Sequence, residues 1–386
     1  MSAVVEKADV VARAKRVGAL ARKHAKESEE LGKLAEPVAE ALHSEGLLGM
    51  WTPRTLRGGL ELDPVTSLEV IENVSYGDPS AGWVLMAASL AIGTGAAYLK
   101  DEAVKELFAG PRLPVIAGQG TRPGVAKPTQ GGFNLSGSWS FASGIKHGTH
   151  IHTLGLIEGK NEARIFVFPV GKAKLIDNWD VLGLRATGSI DYTTDNVFVP
   201  EAYTHMATTE EPLRGGNLYR IGIIGFAGLC HSGWACGIGR RVLDELIAAV
   251  AEKAGRPGTV ADSASFQEGL ANVEAVVRSA RAFVYETWND AWATLARGDK
   301  LSVRQNTLIR LALAHATWSA HEATAFAYKA AGTAALRAGT IQHLFRDMHA
   351  GTQHITSSPP VYASIGRELG GLAKGKKWLF LNLVDG

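Results

Sequence analysis

The chain changes its hydrophobic period twice, and that order limits the folds open to it more than any other feature of its 386 residues. Up to about residue 110 the apolar positions fall at helical spacing. Val11, Leu20, Leu31, Leu34, Val38, Leu42 and Leu47 are set among Lys, Arg and Glu, and an apolar block runs from Trp83 to Leu107. From Pro111 the texture is strand-like and punctuated by Gly and Pro, in VIAGQGTRPG, GGFNLSGSWSF, HIHTLGLIEG, ARIFVFPVG and TTDNVFVP. Gly131-Gly132 and Glu158-Gly159-Lys160-Asn161 supply hairpin turns. After Pro212 the helical period returns, in segments near 218–254, 262–297, 301–331 and 341–357 and a final helix around 361–382. Helices, then a small antiparallel β domain, then a helical bundle make an α+β chain with units 1–112, 113–213 and 214–386. A Rossmann fold would alternate strand and helix and is excluded.

Composition narrows the function classes. A chain 46% hydrophobic and 20% charged can build cores for two or three packed units. With 40 Lys and Arg against 38 Asp and Glu, no global field recruits nucleic acid or an anionic membrane. The only cysteines, Cys230 and Cys236, have neither metal-ligand spacing nor the number for a disulfide framework, which suits core thiols in a reducing cytoplasm. The N-terminal MSAVVEKADVVARAKRVGAL mixes charges into its apolar positions and does not read as a signal peptide. Ile221 to Gly239 is uncharged, but its glycines, His231 and Ser232 favour a buried bundle helix over a membrane span.

Motifs that would carry other chemistries fail on context. Gly118-Gln119-Gly120 and Gly124 are followed by Pro123, Pro128 and a hairpin rather than by a helix, so they make no dinucleotide fingerprint. They read either as turn glycines or as a β loop whose bare backbone admits a flat ligand. His147, His150 and His152 have no Cys or carboxylate to complete a metal set, and no metal is expected. No Gly-x-Ser-x-Gly elbow joins a strand to a helix.

Five segments in order carry a resemblance. They are EVIENVSYGDPSAGW (69–83), GTRPGVAKPTQGGFNLSGSWSFASG (120–144), NWDVLGLRATGSIDYTTDNVFVPE (178–201), FQEGLANVEAVVRSAR (266–281) and AAGTAALRAGTIQHLFRDMHAGTQH (330–354). Together they resemble the acyl-CoA dehydrogenase superfamily, which implies a helical domain, an antiparallel β domain and a C-terminal bundle that assembles as a homotetramer. A dehydrogenase of this family needs a carboxylate base. The matching positions here are Ile355 and Ala227, and no Asp or Glu lies between Glu211 and Asp244 or between Asp347 and Glu368. His354 stands just before Ile355, and the segment is therefore similar to the superfamily's flavin-dependent monooxygenases, two-component hydroxylases.

That resemblance implies reduced FAD or FMN (FADH2 or FMNH2) supplied by a separate flavin reductase, and a 4a-hydroperoxide that oxygenates a small aromatic or heteroaromatic substrate. The reading Ala330-Ala331-Gly332-Thr333, where dehydrogenases have a doubled glycine, leaves FAD and FMN both open. By the same resemblance Ser143 bonds the flavin ring nitrogen, Trp139 and Phe141 wall the ring, and Thr121 sits near its polar edge. Judged alone, Ser143 reads equally well as a turn serine. Arg185, with Thr187 and Ser189, serves flavin phosphate, a pocket edge or an exposed turn. Arg346 and Asp347 form a flavin contact or a structural ion pair, and His354 deprotonates or orients the substrate. Trp83 is assigned to the substrate, with Leu85, Met86, Trp51 and Tyr219 as further apolar guesses. The competing readings are an acyl-CoA dehydrogenase-like or N- or S-oxygenating enzyme, and a non-catalytic flavin-binding protein.

Overall fold

Asp78 ends one helix and starts the next, and the two helices it joins carry much of the first unit's core. The computed structural model describes residues 6–252 and 259–386. Its first unit holds α1 (Lys7–Lys23), α2 (Ala25–Leu31), α3 (Glu36–Ser44), α4 (Pro64–Gly77), α5 (Pro79–Tyr98) and α6 (Asp101–Leu107). The Asp78 side chain accepts from Ala81 N at 2.8 Å, and Pro79 occupies the first turn, so α5 is capped where its missing N–H costs nothing. All of α5 except Ala87 and Leu90 is buried, which explains why the helix shows no polar face.

The middle unit is a seven-stranded sheet of β1 (Ile116–Thr129), β2 (Gly132–Trp139), β3 (His150–Ile157), β4 (Ala163–Pro169), β5 (Lys174–Ile176), β6 (Asp191–Pro200) and β7 (Thr204–Met206). The strand order is β5-β6-β2-β1-β3-β4-β7. The expected all-antiparallel sheet is corrected at one ladder, since β1 and β3 pair in parallel. The hairpin puts β2 on one side of β1, and residues 140–149 then cross the sheet end to reach the other side. That crossover carries Phe141 and Ser143. Its left-handed turn at Gly144 (φ 79°) is a conformation glycine adopts without strain.

The last unit holds α7 (Gly222–Ala251), α8 (Ala264–Ala296), α9 (Val303–Ala331), α10 (Thr340–Gly351) and α11 (Pro359–Leu369), then a hairpin of β8 (Lys376–Leu379) and β9 (Asn382–Asp385). The final helix expected to about 382 therefore stops at Leu369. Gly370 and Gly371 end it, Gly371 lies at φ 74°, and the remaining apolar residues alternate along two short strands. α10 also stops short of the expected 357, giving way to a separate turn at Ile355–Ser357. α5 and α7 are long and apolar enough to cross a membrane, yet 89% and 83% of their most apolar windows are buried in this fold.

Candidate active site

Ser143 lies at the crossover with 7% of its surface exposed. The loop around it is stitched to the segment before β6: Gly144 N donates to Thr187 O at 2.8 Å and Ala142 N to Ile190 O at 3.1 Å. Four hydroxyl and indole groups then form one chain with a fixed polarity. Thr187 Oγ1 donates to the Leu184 carbonyl at 2.7 Å, so its proton is committed and Ser189 must donate to it at 2.6 Å. Ser143 in turn donates to Ser189 at 2.8 Å, while Trp83 Nε1 donates to Ser143 at 3.0 Å. The Ser143 oxygen keeps one lone pair for a further donor.

Trp83 links this chain to a pair of histidines. Its ring meets His231 at 5.0 Å between centroids, Trp234 at 4.9 Å and His354 at 5.7 Å, each edge to face. His231 and His354 lie against each other, centroids 4.0 Å apart and tilted by 32°. One glycine permits this arrangement: a Cβ on Gly351 would stand 2.0 Å from the Trp234 ring, so only glycine lets the end of α10 close on α7. Burial lowers the His354 pKa to about 4, and burial together with its neighbour lowers that of His231 well below its ordinary value. Both rings are neutral at pH 7. His354 Nδ1 accepts from Thr356 N at 3.4 Å and pairs with Thr356 Oγ1 at 2.8 Å. The proton of the neutral ring therefore sits on Nε2.

A second, charged cluster lies where the start of α5 meets α10 and α2. His343 Nε2 meets Asp78 Oδ2 at 3.1 Å and Asp347 Oδ2 at 3.4 Å, and Nδ1 faces Glu29 Oε2 at 3.5 Å. Glu29 also holds both guanidinium nitrogens of Arg346. Burial opposes a charge on His343, but Asp347 and the bonds to Asp78 and Glu29 outweigh it and hold the imidazolium pKa up to about 11. Burial, reinforced by Asp78 and Glu29, still raises Asp347 to about 6 despite His343, because three carboxylates face two cations. Asp347 Oδ1 accepts from Leu184 N at 2.7 Å, so this cluster fixes the residue on which the Ser143 chain ends.

The structure thus brings Ser143, Trp83 and His354 together and disperses the other sequence candidates. Trp139 is fully buried inside the β unit, stacked on Tyr192 at 5.2 Å and bonded to Leu154 O. It sits beneath the crossover and does not wall an open cleft, because the strand alternation that ends β2 turns it inward. Phe141 has the opposite fate, 68% exposed with its edge toward Trp179. Thr121 lies in the bulge of β1, tied with Arg122 N to the Gln119 side chain. Arg185 is exposed and its guanidinium has no hydrogen bond or ion pair among the described residues. Arg346 and Asp347 do not pair with each other; both are committed to the charged cluster. Trp51 and Tyr219 are core residues. Sequence reasoning missed His231 as a site residue, assigned Thr187 and Ser189 away from Ser143, and passed over His343 one turn before Asp347.

The donor set fits a flavin. An exposed aromatic at left-handed φ (Phe141, 69°), a bulge of β1 that carries glycines at 118, 120 and 124, an unpaired guanidinium at Arg185 and the spare Ser143 lone pair offer a flat ring and a phosphate what each requires.

Comparisons with known proteins bear on the family and the fold. Residues 229–359 match the family described as acyl-CoA dehydrogenase, C-terminal domain. Indole-3-acetate monooxygenase of Pseudomonas putida is 30% identical over 349 residues, covering 86% of each chain. The oxygenase subunit HsaA of a flavin-dependent monooxygenase from Mycobacterium tuberculosis is 26% identical over 92% of this chain and 93% of its own. The crystal structure of the M. tuberculosis HsaA monooxygenase superposes with a TM-score of 0.88 at 22% identity, over 95% of this chain and 98% of that one. XiaF from a Streptomyces species, in complex with FADH2 and glycerol, gives 0.85 at 22% identity, over 95% and 96%.

Proposed function

The chain belongs to the flavin-dependent monooxygenases built on the acyl-CoA dehydrogenase fold, and from that premise we propose how its own residues act. It is an oxygenase component that takes reduced FAD or FMN from a separate reductase and hydroxylates a small aromatic or heteroaromatic ring. The observation that carries this reading is the placement of the Ser143 hydroxyl and the His354 imidazole on two sides of Trp83, with no carboxylate acting on His354. A dehydrogenase base is absent from both family positions. Indole-3-acetate, the substrate in the name of the P. putida relative, and resorcinol, in that of a Rhizobium hydroxylase, supply the ring classes to test first.

Bound reduced flavin supplies the electrons that activate oxygen. Phe141 would face the ring of a bound flavin, Arg185 would meet a phosphate, and Ser143, held in place by Trp83 on one side and Ser189 on the other, would accept a hydrogen bond from a ring N–H. Trp83 and Trp234 keep water away from this point, which strengthens each polar contact there. His354 presents Nε2–H to the substrate and orients it. Exposed apolar residues on the C-terminal unit, Trp318, Leu336, Ile355 and Leu369, support the homotetramer, and two buried free cysteines support a cytoplasmic setting.

The test is to mix the protein with chemically reduced FAD or FMN, labelled oxygen gas and indole-3-acetate, indole or phenol. Label in the product, and no NADH consumption until a reductase is added, are expected. Absence of label from every product, or bleaching of bound oxidised flavin by an acyl-CoA thioester under anaerobic conditions, overturns the reading.

A further inference from the structure

His231 is a polar residue on the apolar face of α7 that the proposed reaction leaves without a task. Neither of its ring nitrogens has a hydrogen-bond partner among the described residues. Yet neither is among the buried polar atoms cut off from accessible space, although the residue is only 7% exposed. A core histidine that merely fills volume leaves such nitrogens bonded or sealed. Here they stand without a partner beside the ring of His354, 4.0 Å away between centroids, the residue proposed to meet the substrate.

The two rings are not interchangeable. His354 has its Nδ1 lone pair occupied by the Thr356 N–H, so its free nitrogen carries a hydrogen and can only donate. His231 is under no such constraint, and a neutral imidazole always has one nitrogen that accepts. We propose that His231 is the acceptor for an O–H or N–H borne by the substrate ring, with His354 as the donor beside it. This rests on the monooxygenase reading and assigns the substrate class as rings with an acidic hydrogen. The step is a proton transfer: the ring O–H or N–H bond breaks, an N–H bond forms on His231, and the electron pair stays on the ring. The oxygen atom and the electrons come from O2 and reduced flavin in the family reaction. The proton leaves from His231 to water after turnover.

The surroundings allow the assignment. Titratable groups stand on the helices packed around α7: Asp78 at the start of α5, Glu72 and Tyr76 on α4, His343 and Asp347 on α10, His321 on α9, Glu274, Arg281 and Tyr285 on α8, and Cys230, Cys236, Arg240, Arg241, Asp244 and Glu245 on α7 itself. Of all of these and His354, only His354 acts on the charge of His231. No carboxylate holds it as a cation and burial keeps the ring neutral, so its acceptor nitrogen is free to receive a substrate hydrogen as oxygen transfer makes that hydrogen acidic.

The experiment compares phenol with anisole and indole with 1-methylindole, reading product formed per reduced flavin oxidised. In the wild type the parent compound of each pair is expected to exceed its methylated partner by about tenfold, the worth of one hydrogen bond at a desolvated site. His231→Phe should bring both ratios near one and remove the acid limb of the pH profile, and His231→Gln, which keeps an acceptor, should restore part of the ratio. His354→Phe should lower product from both members of each pair together. Wild-type ratios and an unchanged acid limb in His231→Phe, or no preference in the wild type, overturn the inference alone. No product from any of the four compounds with the wild type overturns the monooxygenase reading and this inference with it.

Discussion

Two histidine clusters lie along α5, one against α10 and the other against α7 and the turn after α10, and they are opposites. At the start of α5, His343 is gripped by Asp78, Asp347 and Glu29 and stays charged. One turn and a half further along α5, Trp83 faces His231 and His354, which have no carboxylate and stay neutral. Burial acts against the imidazolium in both. The partners decide the outcome: where carboxylates accompany the ring into the protein the charge survives, and where only aromatic rings do it is lost. The charged cluster has every atom committed and holds Leu184, α2 and α10 in place. The neutral one keeps nitrogens free, as a site that must receive a ligand requires.

Breaking the committed cluster should have the largest effect. Asp347→Ala leaves His343 short of one anion and Leu184 N without its acceptor in a fully buried place, and should cost about 3–5 kcal/mol of stability by chemical denaturation. A loss under 1 kcal/mol would mean that the cluster is not the anchor described. His354→Ala should leave the fold in place and cut product by about a hundredfold, the lower range for removing a positioned proton-handling group, while reduced flavin is still oxidised to give hydrogen peroxide. Unchanged product per flavin would remove His354 from the site. Ser143→Ala and Thr187→Val probe the connection between the clusters. The first strands the Trp83 N–H, and should raise peroxide release with an effect of about 1–3 kcal/mol. The second takes away the acceptor of the Ser189 hydroxyl, which can turn to another, and one of the donors to the Leu184 carbonyl, and should give the same change at about 1 kcal/mol or less. Equal effects from the two would show that the direction of the chain does not matter.

How far the sequence foretold these clusters depends on the range of the interactions. The three-part order of periods is a local property, and it appears in the structure as helices, strands and helices. His354 and Ser143 stood out as candidates because short motifs carry them. Their meeting through Trp83 was not, since 60 residues separate Trp83 from Ser143 and the contact depends on the crossover after β2. His231 was visible as a polar residue in an apolar run, and it served only as an argument against a membrane span. What it lacked was any sign that Gly351 lets Trp234 draw α10 against α7. Trp139 failed for the reverse reason. Its motif neighbours face the cleft, but the pleat at the end of β2 points it into the sheet core. The parallel β1–β3 ladder and the C-terminal hairpin depend on pairing partners that a single-segment period does not specify.

The smallest expected effect distinguishes the clusters by the sign of their response to pH. His354, lowered to about 4 from 6.5, binds fewer protons folded than unfolded between those values, and His231 acts in the same sense. Stability from this pair is present above 6.5 and is lost as pH falls toward 4. His343, raised to about 11, binds more protons folded than unfolded, so its contribution is complete below 6.5 and is lost as pH rises through 11. His152 and His205, lowered by burial to about 3 and about 4, add to the acid slope from within the β unit. The readout must therefore be a difference from wild type. Denaturation midpoints of His231→Phe should fall less steeply than wild type between pH 6.5 and 4 and run parallel to it at alkaline pH, with the reverse pattern for His343→Gln. Parallel curves for His231→Phe across the whole range would mean that this histidine does not exchange charge for burial on folding, and the contrast between the two clusters would lose its electrostatic basis.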